Sequence, residues 1–341
     1  MQGGLEPPGP VREDSLMVDD KDMSRQVLEA GKFFENCVLC PRGCGINRRR
    51  GEAVGLGFCG ETDQIRVAYV GPHFGEEPPL TGTNGSGTVF FSGCSLKCSF
   101  CQNHQISHQG MGMSTSLEGL LEKLEEMIRI HNVHNINFVT PDHFFPQVFY
   151  LVSLIRKKGH DLPVVYNLSG YQSVEILRKA RNYADIYLPD YKYSDSSLAA
   201  KLSKCRDYPK VALEAIAEMI RQKGFLDACS TGANLAKKGV LIRHLILPGN
   251  VKNSIDALTS LFVEFGRGLP VSLMSQYHPV VYQKERNLNR FISAEEFESV
   301  YSHAKELGFD NLFVQFPKGE SEEGPAKSAF LPDFGKAEPF K

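Results

Sequence analysis

Three cysteines at positions 94, 98 and 101 constrain this chain more than any other feature of its sequence. They follow directly on an apolar, β-rich run at 88–91, so a strand is predicted to lead into the loop that carries them. Three thiolates on such a short loop can bind three corners of a cubane iron–sulfur cluster. No fourth cysteine follows at short range, which would leave one iron without a protein ligand. An open metal position is typical of catalytic sites, because structural sites close their coordination.

Composition narrows the class of protein. The chain has 341 residues, 42% of them hydrophobic and 23% charged, as is ordinary for a globular protein. A net charge of −2 gives no broad basic field and provides no strong signal for nucleic-acid binding. No apolar run reaches the roughly 18 residues that a membrane span needs, and the acidic N-terminus does not resemble a secretory signal. We therefore expect a cytoplasmic protein.

The chain has nine cysteines, which in a reducing compartment are better explained as metal ligands or buried thiols than as disulfides. Four of them form a second group, Cys37, Cys40, Cys44 and Cys59. Four thiolates gathered by tight turns can hold a structural zinc or a second Fe–S cluster. A structural metal is the favoured interpretation, because closed four-thiolate sites are usually structural, although zinc normally uses two CxxC knuckles and only one is present.

The sequence predicts four regions: a flexible tail over 1–32, a Cys-rich metal-binding module over 33–65, a barrel over 80–316 and a second flexible tail over 317–341. Within the barrel region, β-like runs alternate with amphipathic segments, a pattern typical of parallel strands covered by helices. The predicted strands are 87–92, 135–139, 163–168, 184–188, 239–247 and 270–277, with a last run at 311–315. Six strand–helix units are too few for a complete eight-fold barrel, so the predicted fold is α/β, a partial (β/α)6 TIM-like barrel preceded by the small Cys-rich module.

Right-handed crossovers would place the C-terminal ends of these strands at one mouth, where such barrels carry their chemistry. The candidate binding residues at or near these ends are Thr140, Asn167, Asp190, Lys192, Arg243 and His278. Charged side chains inside an apolar strand are costly unless they are paired. Asp190, Lys192 and Arg243 are therefore predicted to bind a ligand or one another.

From residue 37 to about 315, the chain resembles the radical S-adenosylmethionine (SAM) proteins similar to pyruvate formate-lyase activating enzyme. The N-terminal C-x2-C-P-R-x-C segment resembles one branch of that group. The matching stretches are 37–44, 94–107 (CSLKCSFCQNHQIS), 185–192 (DIYLPDYK), 243–249 (RHLILPG) and 274–279 (MSQYHP). The three-cysteine loop, which we call the cluster loop (residues 93–103), is the most specific of these motifs.

The resemblance implies that Cys94, Cys98 and Cys101 ligate a [4Fe-4S] cluster whose open iron is chelated by SAM. Reductive cleavage of SAM would then yield methionine and a 5′-deoxyadenosyl radical for hydrogen abstraction. By position, Asp190, Lys192, Arg243 and His278 match residues of that family that surround the methionine and ribose of SAM, with a cation suited to its carboxylate and Asp190 to its ammonium group. A low-potential ferredoxin or flavodoxin is the expected electron donor. The substrate stays open, and an activase-like action on a protein is one option.

One stretch departs from the family pattern. Where the family often has a Gly-Gly-Glu-Pro segment that contacts the SAM amino group, this chain has Val139-Thr140-Pro141-Asp142. Thr140 or Asp142 is a candidate replacement for the missing acid.

Two other functions use the same cysteines: a non-catalytic iron–sulfur electron-transfer or scaffold protein, and a zinc-binding adaptor. The zinc adaptor ranks last, because C-x3-C-x2-C without a fourth nearby ligand is a poor zinc site.

Overall fold

The structure, a computed structural model, describes residues 31–49, 56–232, 234–317 and 331–341. Its strands are β1 Arg66–His73, β2 Ser86–Phe91, β3 Met113–Ser114, β4 Ile136–Val139, β5 Val164–Leu168, β6 Ile186–Pro189, β7 Gly239–Val240, β8 Ile242–Leu245, β9 Val271–Met274 and β10 Leu312–Gln315. Its α-helices are α1 Pro78–Thr81, α2 His104–Ser107, α3 Leu117–His131, α4 Phe145–Lys157, α5 Val174–Ala180, α6 Ser196–Ser203, α7 Tyr208–Lys223, α8 Asp227–Thr231, α9 Val251–Phe265 and α10 Ala294–Leu307. Among the described residues, no helix has both the length and the apolar character needed to cross a membrane.

The strands form one curved, mostly parallel wall. One sheet has the order β3-β1-β2-β4-β5-β6-β7, and a second has the order β10-β9-β8. Only Leu241 separates β7 from β8, and a parallel bridge between Asp190 and Arg243 continues the pairing across that point. The other parallel strands are joined by helical crossovers, and the arrangement confirms the predicted α/β partial barrel. The run predicted at 311–315 is β10, which pairs in parallel with β9.

Burial follows from this layering. Every residue of β4, β6 and β9 is buried, as expected for parallel strands covered on both faces. Helix α3 shows how the covering layer forms: the Ser116 side chain caps its first turn by accepting from the Gly119 amide. Its buried residues recur at helical spacing and pack into the core. They are Leu120, Leu121, Leu124 and Met127.

Strand β1 was not predicted from the sequence. It pairs antiparallel with both β2 and β3, and so extends the sheet beyond the first parallel strand. Only two of its eight residues, Val67 and Gly71, are buried, so it lacks the apolar run or clean alternation that marks a strand.

The two predicted tails have different outcomes. The N-terminal one lies, except for residues 31–32, outside the described residues. Residues 318–330 of the C-terminal one also lie outside them. Residues 331–341, however, pack against the barrel, and Phe334 is only 8% exposed. For this segment the predicted flexible tail is therefore corrected: Phe334 and Phe340 bury apolar surface against aromatic residues of β1 and β2.

A buried tyrosine joins the ends of β5 and β6. The Tyr208 hydroxyl lies 2.9 Å from the Ser169 carbonyl and 3.0 Å from the Asp190 carbonyl, to which it donates. It accepts from the Lys192 amide at 2.9 Å. The contact requires Gly170, which has a φ of +81° and at which a Cβ would lie 2.1 Å from the Asp190 carbonyl oxygen. The tyrosine thus fixes the backbone around Asp190 and Lys192.

We expect Tyr208→Phe to lower the free energy of unfolding by about 1–3 kcal/mol, because buried backbone polar groups lose their partner. Denaturant unfolding, compared with the parent, measures this loss. Tyr282→Phe is the matched control, because Tyr282 is 87% exposed and its substitution should change stability by less than about 0.5 kcal/mol. Equal stability of the two variants would show that the hydroxyl does not fix the strand ends.

Candidate functional site

A cavity of about 470 Å³ lies inside the partial barrel, where the cluster loop meets the strand ends. Its walls include all three cysteines of the cluster loop, Cys94, Cys98 and Cys101. They also include all six candidate binding residues predicted from the sequence: Thr140, Asn167, Asp190, Lys192, Arg243 and His278. The structure therefore brings together residues that lie up to 184 positions apart in the chain. Their individual roles stay predictions.

The cluster loop leaves β2 through a turn that requires glycine. Gly93 has a φ of +80°, and a Cβ there would lie 2.4 Å from Cγ of Glu61. The loop then folds back so that the amides of Leu96 and Lys97 lie 3.3 and 3.4 Å from Sγ of Cys94, to which they donate. Lys97 itself has a φ of +48°. These backbone donors stabilise negative charge on the sulfur, and so the loop suits a thiolate ligand.

The donor set fits an iron–sulfur cluster. Burial raises the pKa of the Cys94 thiol and that of the Cys101 thiol. A positively charged metal centre would replace these protons, since metal ligation requires the thiolate. The three sulfurs face a cavity that also offers polar side chains for a further ligand. This chemistry suits a cluster with one iron not bound by the protein.

Asp190 and Lys192 form a partly buried ion pair on the cavity wall. Nζ of Lys192 lies 2.6 Å from Oδ2 of Asp190, and the two side chains are 17% and 19% exposed. Burial alone would lower the pKa of Lys192, but Asp190 and the Cys98 sulfur raise it above its ordinary value. The cavity therefore has one anionic and one cationic side chain beside the cluster loop, and together they suit a zwitterionic group.

Arg243 is held by two glutamates that the sequence analysis did not single out. Its guanidinium forms ion pairs with the carboxylates of Glu76 and Glu77, the second at 2.5 Å. All three side chains are nearly buried, with exposures of 11%, 5% and 7%. Burial opposes the charge of Arg243, but the two carboxylates raise its pKa. Burial likewise opposes the charge of Glu77, yet Arg243 lowers the pKa of that carboxyl below its ordinary value.

These glutamates carried a weak signal in the sequence. They belong to the run Gly75-Glu76-Glu77-Pro78-Pro79 between β1 and β2, where two adjacent acids precede two prolines. Asn137 of β4 donates to Glu76 at 2.8 Å, so a neighbouring strand also holds this run. We expected Asp190, Lys192 and Arg243 to bind a ligand or one another. Asp190 and Lys192 do pair with each other, whereas Arg243 pairs with Glu76 and Glu77.

The other three predicted residues, Thr140, Asn167 and His278, lie on the same wall. Thr140 follows β4 with a φ of +56°, and its amide donates to the Asn167 carbonyl at 2.9 Å. A left-handed threonine is costly, and such backbone strain concentrates at functional sites. The His278 ring lies 4.7 Å from that of Phe291, and burial lowers its pKa. Asp142 is fully buried, 2.5 Å from the Ser95 hydroxyl, and it does not line the cavity.

The Cys-rich module packs directly on the back of the cluster loop. The Cys59 carbonyl accepts from the Cys94 amide at 3.4 Å. Cys37 and Cys59 are buried, Cys40 is partly buried and Cys44 is exposed. Within residues 31–49, 56–232, 234–317 and 331–341, no three His, Cys, Asp or Glu side chains surround a common position for one metal ion. The identity of a metal in this module stays a prediction.

Arg42 joins the module to the barrel. Its guanidinium donates to the carbonyls of Ser95 and Leu96, in the cluster loop, at 3.0 and 3.3 Å. It also donates to those of Ser203 and Lys204, at the end of α6, at 2.6 and 2.5 Å. The Arg within the C-x2-C-P-R-x-C motif thus holds the cluster loop in place, a role that the motif alone did not indicate.

Comparisons with known proteins identify the family that this chain resembles. Residues 88–258, half of the chain, match the family described as the radical SAM superfamily. An uncharacterized protein of Methanocaldococcus jannaschii is 28% identical over 297 residues, which are 83% of this chain and 78% of that protein.

Solved structures show weaker similarity. Methylornithine synthase (PylB) is 13% identical with a TM-score of 0.41, over 90% of this chain and 81% of that one. HydG, a maturase of the FeFe-hydrogenase, is 11% identical with a TM-score of 0.46, over 89% of this chain and 59% of that one. SuiB of Streptococcus suis, bound to its precursor peptide SuiA, is 14% identical with a TM-score of 0.42, over 65% of this chain and 46% of that one.

Proposed function

Because this chain belongs to the radical SAM superfamily, whose members use a [4Fe-4S] cluster and SAM, we propose that Cys94, Cys98 and Cys101 hold that cluster. When bound, the reduced cluster supplies the electron that cleaves SAM into methionine and a 5′-deoxyadenosyl radical, which abstracts a hydrogen atom. The observation that carries the proposal is the shared cavity, which is lined by three free thiols and by a partly buried ion pair.

The residues of the cavity divide this work among them. Lys192 binds the carboxylate of SAM and Asp190 its ammonium group, since each has the opposite charge. Asn167, His278 and the strained backbone at Thr140 bind its remaining polar groups. Arg243 is already paired with two glutamates, so its part is to hold these residues together in the polar wall around the ligand.

Apolar side chains exclude water from the same space. Among the residues that line the cavity, Leu96, Phe100 and Leu168 are buried. Excluding water strengthens each electrostatic contact and protects a reactive radical from side reactions. The protein contributes orientation and protection, and the cofactor contributes the difficult chemistry.

At the next level of detail, we propose an activase-like oxidoreductase that abstracts hydrogen from a partner protein. The stretches that resemble pyruvate formate-lyase activating enzyme, 94–107 and 185–192, supply cluster-loop and ion-pair residues of the cavity. A low-potential ferredoxin or flavodoxin would supply the electron, and the cytoplasm is the compartment that provides both.

SAM cleavage tests the proposal directly. After anaerobic reconstitution with iron and sulfide, reduction with dithionite in the presence of SAM should release 5′-deoxyadenosine and methionine in equal amounts. Electron paramagnetic resonance of the reduced protein should change when SAM is added, because an open iron accepts it as a ligand. A spectrum indifferent to SAM, with no cleavage, would instead indicate a cluster with four protein ligands and an electron-transfer or scaffold role.

Metal analysis of the same preparation decides what the Cys-rich module binds. About four irons with zinc would indicate one cluster and a structural zinc at Cys37, Cys40, Cys44 and Cys59. About eight irons and matching sulfide would indicate a second cluster there. We propose a metal at these four cysteines, because four free thiols lie in one short module and closed four-thiolate sites are usually structural metal sites.

A further inference from the structure

The C-terminal segment, residues 331–341, supplies part of the cavity wall. We call it the C-terminal strap. Phe340 lines the cavity, and its ring centroid lies 4.3 Å from that of His73, 5.5 Å from that of Phe90 and 5.8 Å from that of Tyr69. His73 and Phe90 line the cavity as well. Phe340 therefore belongs to the same enclosure as the cluster loop, although more than 230 residues separate them in the chain.

A second phenylalanine, Phe334, holds the strap against the barrel. Phe334 is buried and packs against Phe90, with ring centroids 5.4 Å apart. It shares an apolar cluster with Ile106 and Val139. Val139 is the last residue of β4 and lines the cavity, so this anchor places the strap at the mouth of the barrel.

The strap is also hydrogen-bonded to the segment that follows the cluster cysteines. Oε1 of Gln105 accepts from the Phe334 amide at 2.8 Å, and its Nε2 donates to Oδ1 of Asp333 at 3.2 Å. Gln105 lies four residues after Cys101, in α2. The Asp333 amide donates to the Pro339 carbonyl at 2.8 Å, which folds the strap into a turn and presents Phe340 to the cavity.

The strap covers one flank of the open side of the barrel. In the described part of the chain, β10 and β3 are the two edges, and no strand pairing joins them. The cavity is lined by Phe313 and Gln315 of β10 and, on the opposite side, by Phe90 of β2 and Phe340 of the strap. Among the described residues, a group inside the cavity therefore has Phe340 on one side and β10 on the other.

We propose that Phe340 is a specificity-determining residue, which limits the width of the group that can reach the cluster loop. The proposal rests on the proposed function and narrows its substrate class. The substrate class is then one that presents a narrow group to the cavity, because the Phe340 ring occupies part of the wall beside the cluster loop. Removal of the Phe340 ring widens the entrance without removing any group that would bind SAM.

Size-selective thiol labelling tests this width without any cofactor. The protein is treated, before cluster reconstitution, with either iodoacetamide or a polyethylene-glycol maleimide, and peptide mapping by mass spectrometry quantifies modification at Cys94 and Cys101. In the parent, iodoacetamide should modify both cysteines, and the bulky maleimide should modify them slowly, since it requires the strap to open. In Phe340→Ala, the bulky reagent should react at least about tenfold faster, with little change for iodoacetamide.

Matched controls separate width from general loosening. Phe316→Ala removes a ring that is 58% exposed and outside the cavity wall, so labelling should equal that of the parent. The exposed Cys44 reports equal reagent activity in every sample. Gln105→Ala, which releases the strap but keeps Phe340, should also admit the bulky reagent. Equal labelling of parent and both strap variants by the bulky reagent would overturn the proposal.

The result is independent of SAM cleavage. If the strap variants admit the bulky reagent but the reconstituted parent does not cleave SAM, the proposed function fails and the access role of Phe340 stands. If SAM is cleaved but the bulky reagent labels the parent and Phe340→Ala at the same rate, the specificity role is wrong and the proposed function stands.

Discussion

Replacing any one of Cys94, Cys98 and Cys101 by alanine should abolish SAM cleavage by the reconstituted protein. Each cysteine would supply one of only three protein ligands, so the loss of one leaves a cluster with two open irons. Substitutions one shell away from a metal already cost about 10–100-fold, and loss of a ligand should therefore cost more than about 100-fold. Production of 5′-deoxyadenosine, with bound iron and sulfide measured on the same sample, records both effects.

Cys229→Ser is the matched control, because Cys229 lies outside the cavity and is only partly buried. It should retain the iron content and turnover of the parent. Cys94→Ala should keep its fold, because the backbone amide at that position still donates to the Cys59 carbonyl. A Cys94→Ala protein that cleaves SAM like the parent would disprove the assignment of the cluster ligands.

The parts of the fold that the sequence predicted are those whose local pattern suffices. Strand β6 is a short apolar run and β4 is apolar except for Asn137, and both are buried along their whole length, as is typical of parallel strands covered on both faces. Strand β1 escaped prediction because most of its residues are only half-buried. The C-terminal strap escaped for a different reason: its Gly- and Pro-containing sequence is typical of disorder, and only the tertiary contacts of Phe334 and Phe340 order it.

The candidate site was predictable to the extent that topology determines it. Parallel strands direct their C-terminal ends to one mouth, so Asp190 and His278 were expected near the cluster loop, although the sequence does not give the distances between them. The partner of Arg243 was not predictable in this way. Glu76 precedes it by 167 residues in a loop outside the predicted barrel, and only the folded structure shows that the two meet.

Arg243→Met should destabilise the protein by about 3–5 kcal/mol, because it leaves the two adjacent carboxylates of Glu76 and Glu77 buried without a countercharge. Methionine keeps most of the side-chain volume, so the loss reports charge rather than a cavity. Denaturant unfolding of the protein without cofactors measures it. Adding Glu76→Gln and Glu77→Gln to Arg243→Met should recover most of the stability, since neutral amides need no countercharge.

The pH dependence distinguishes this charge effect from simple loss of packing. In the parent, Arg243 lowers the pKa of Glu77 below its ordinary value of 4.5. The ion pair therefore contributes stability above that pH and loses it as the pH falls through the lower folded-state value. In Arg243→Met, burial without the cation should raise the pKa of Glu77, so the variant loses stability as the pH rises. The stability difference between parent and variant should accordingly shrink from about pH 8 to about pH 5, whereas a difference independent of pH would show that Arg243 acts through packing alone.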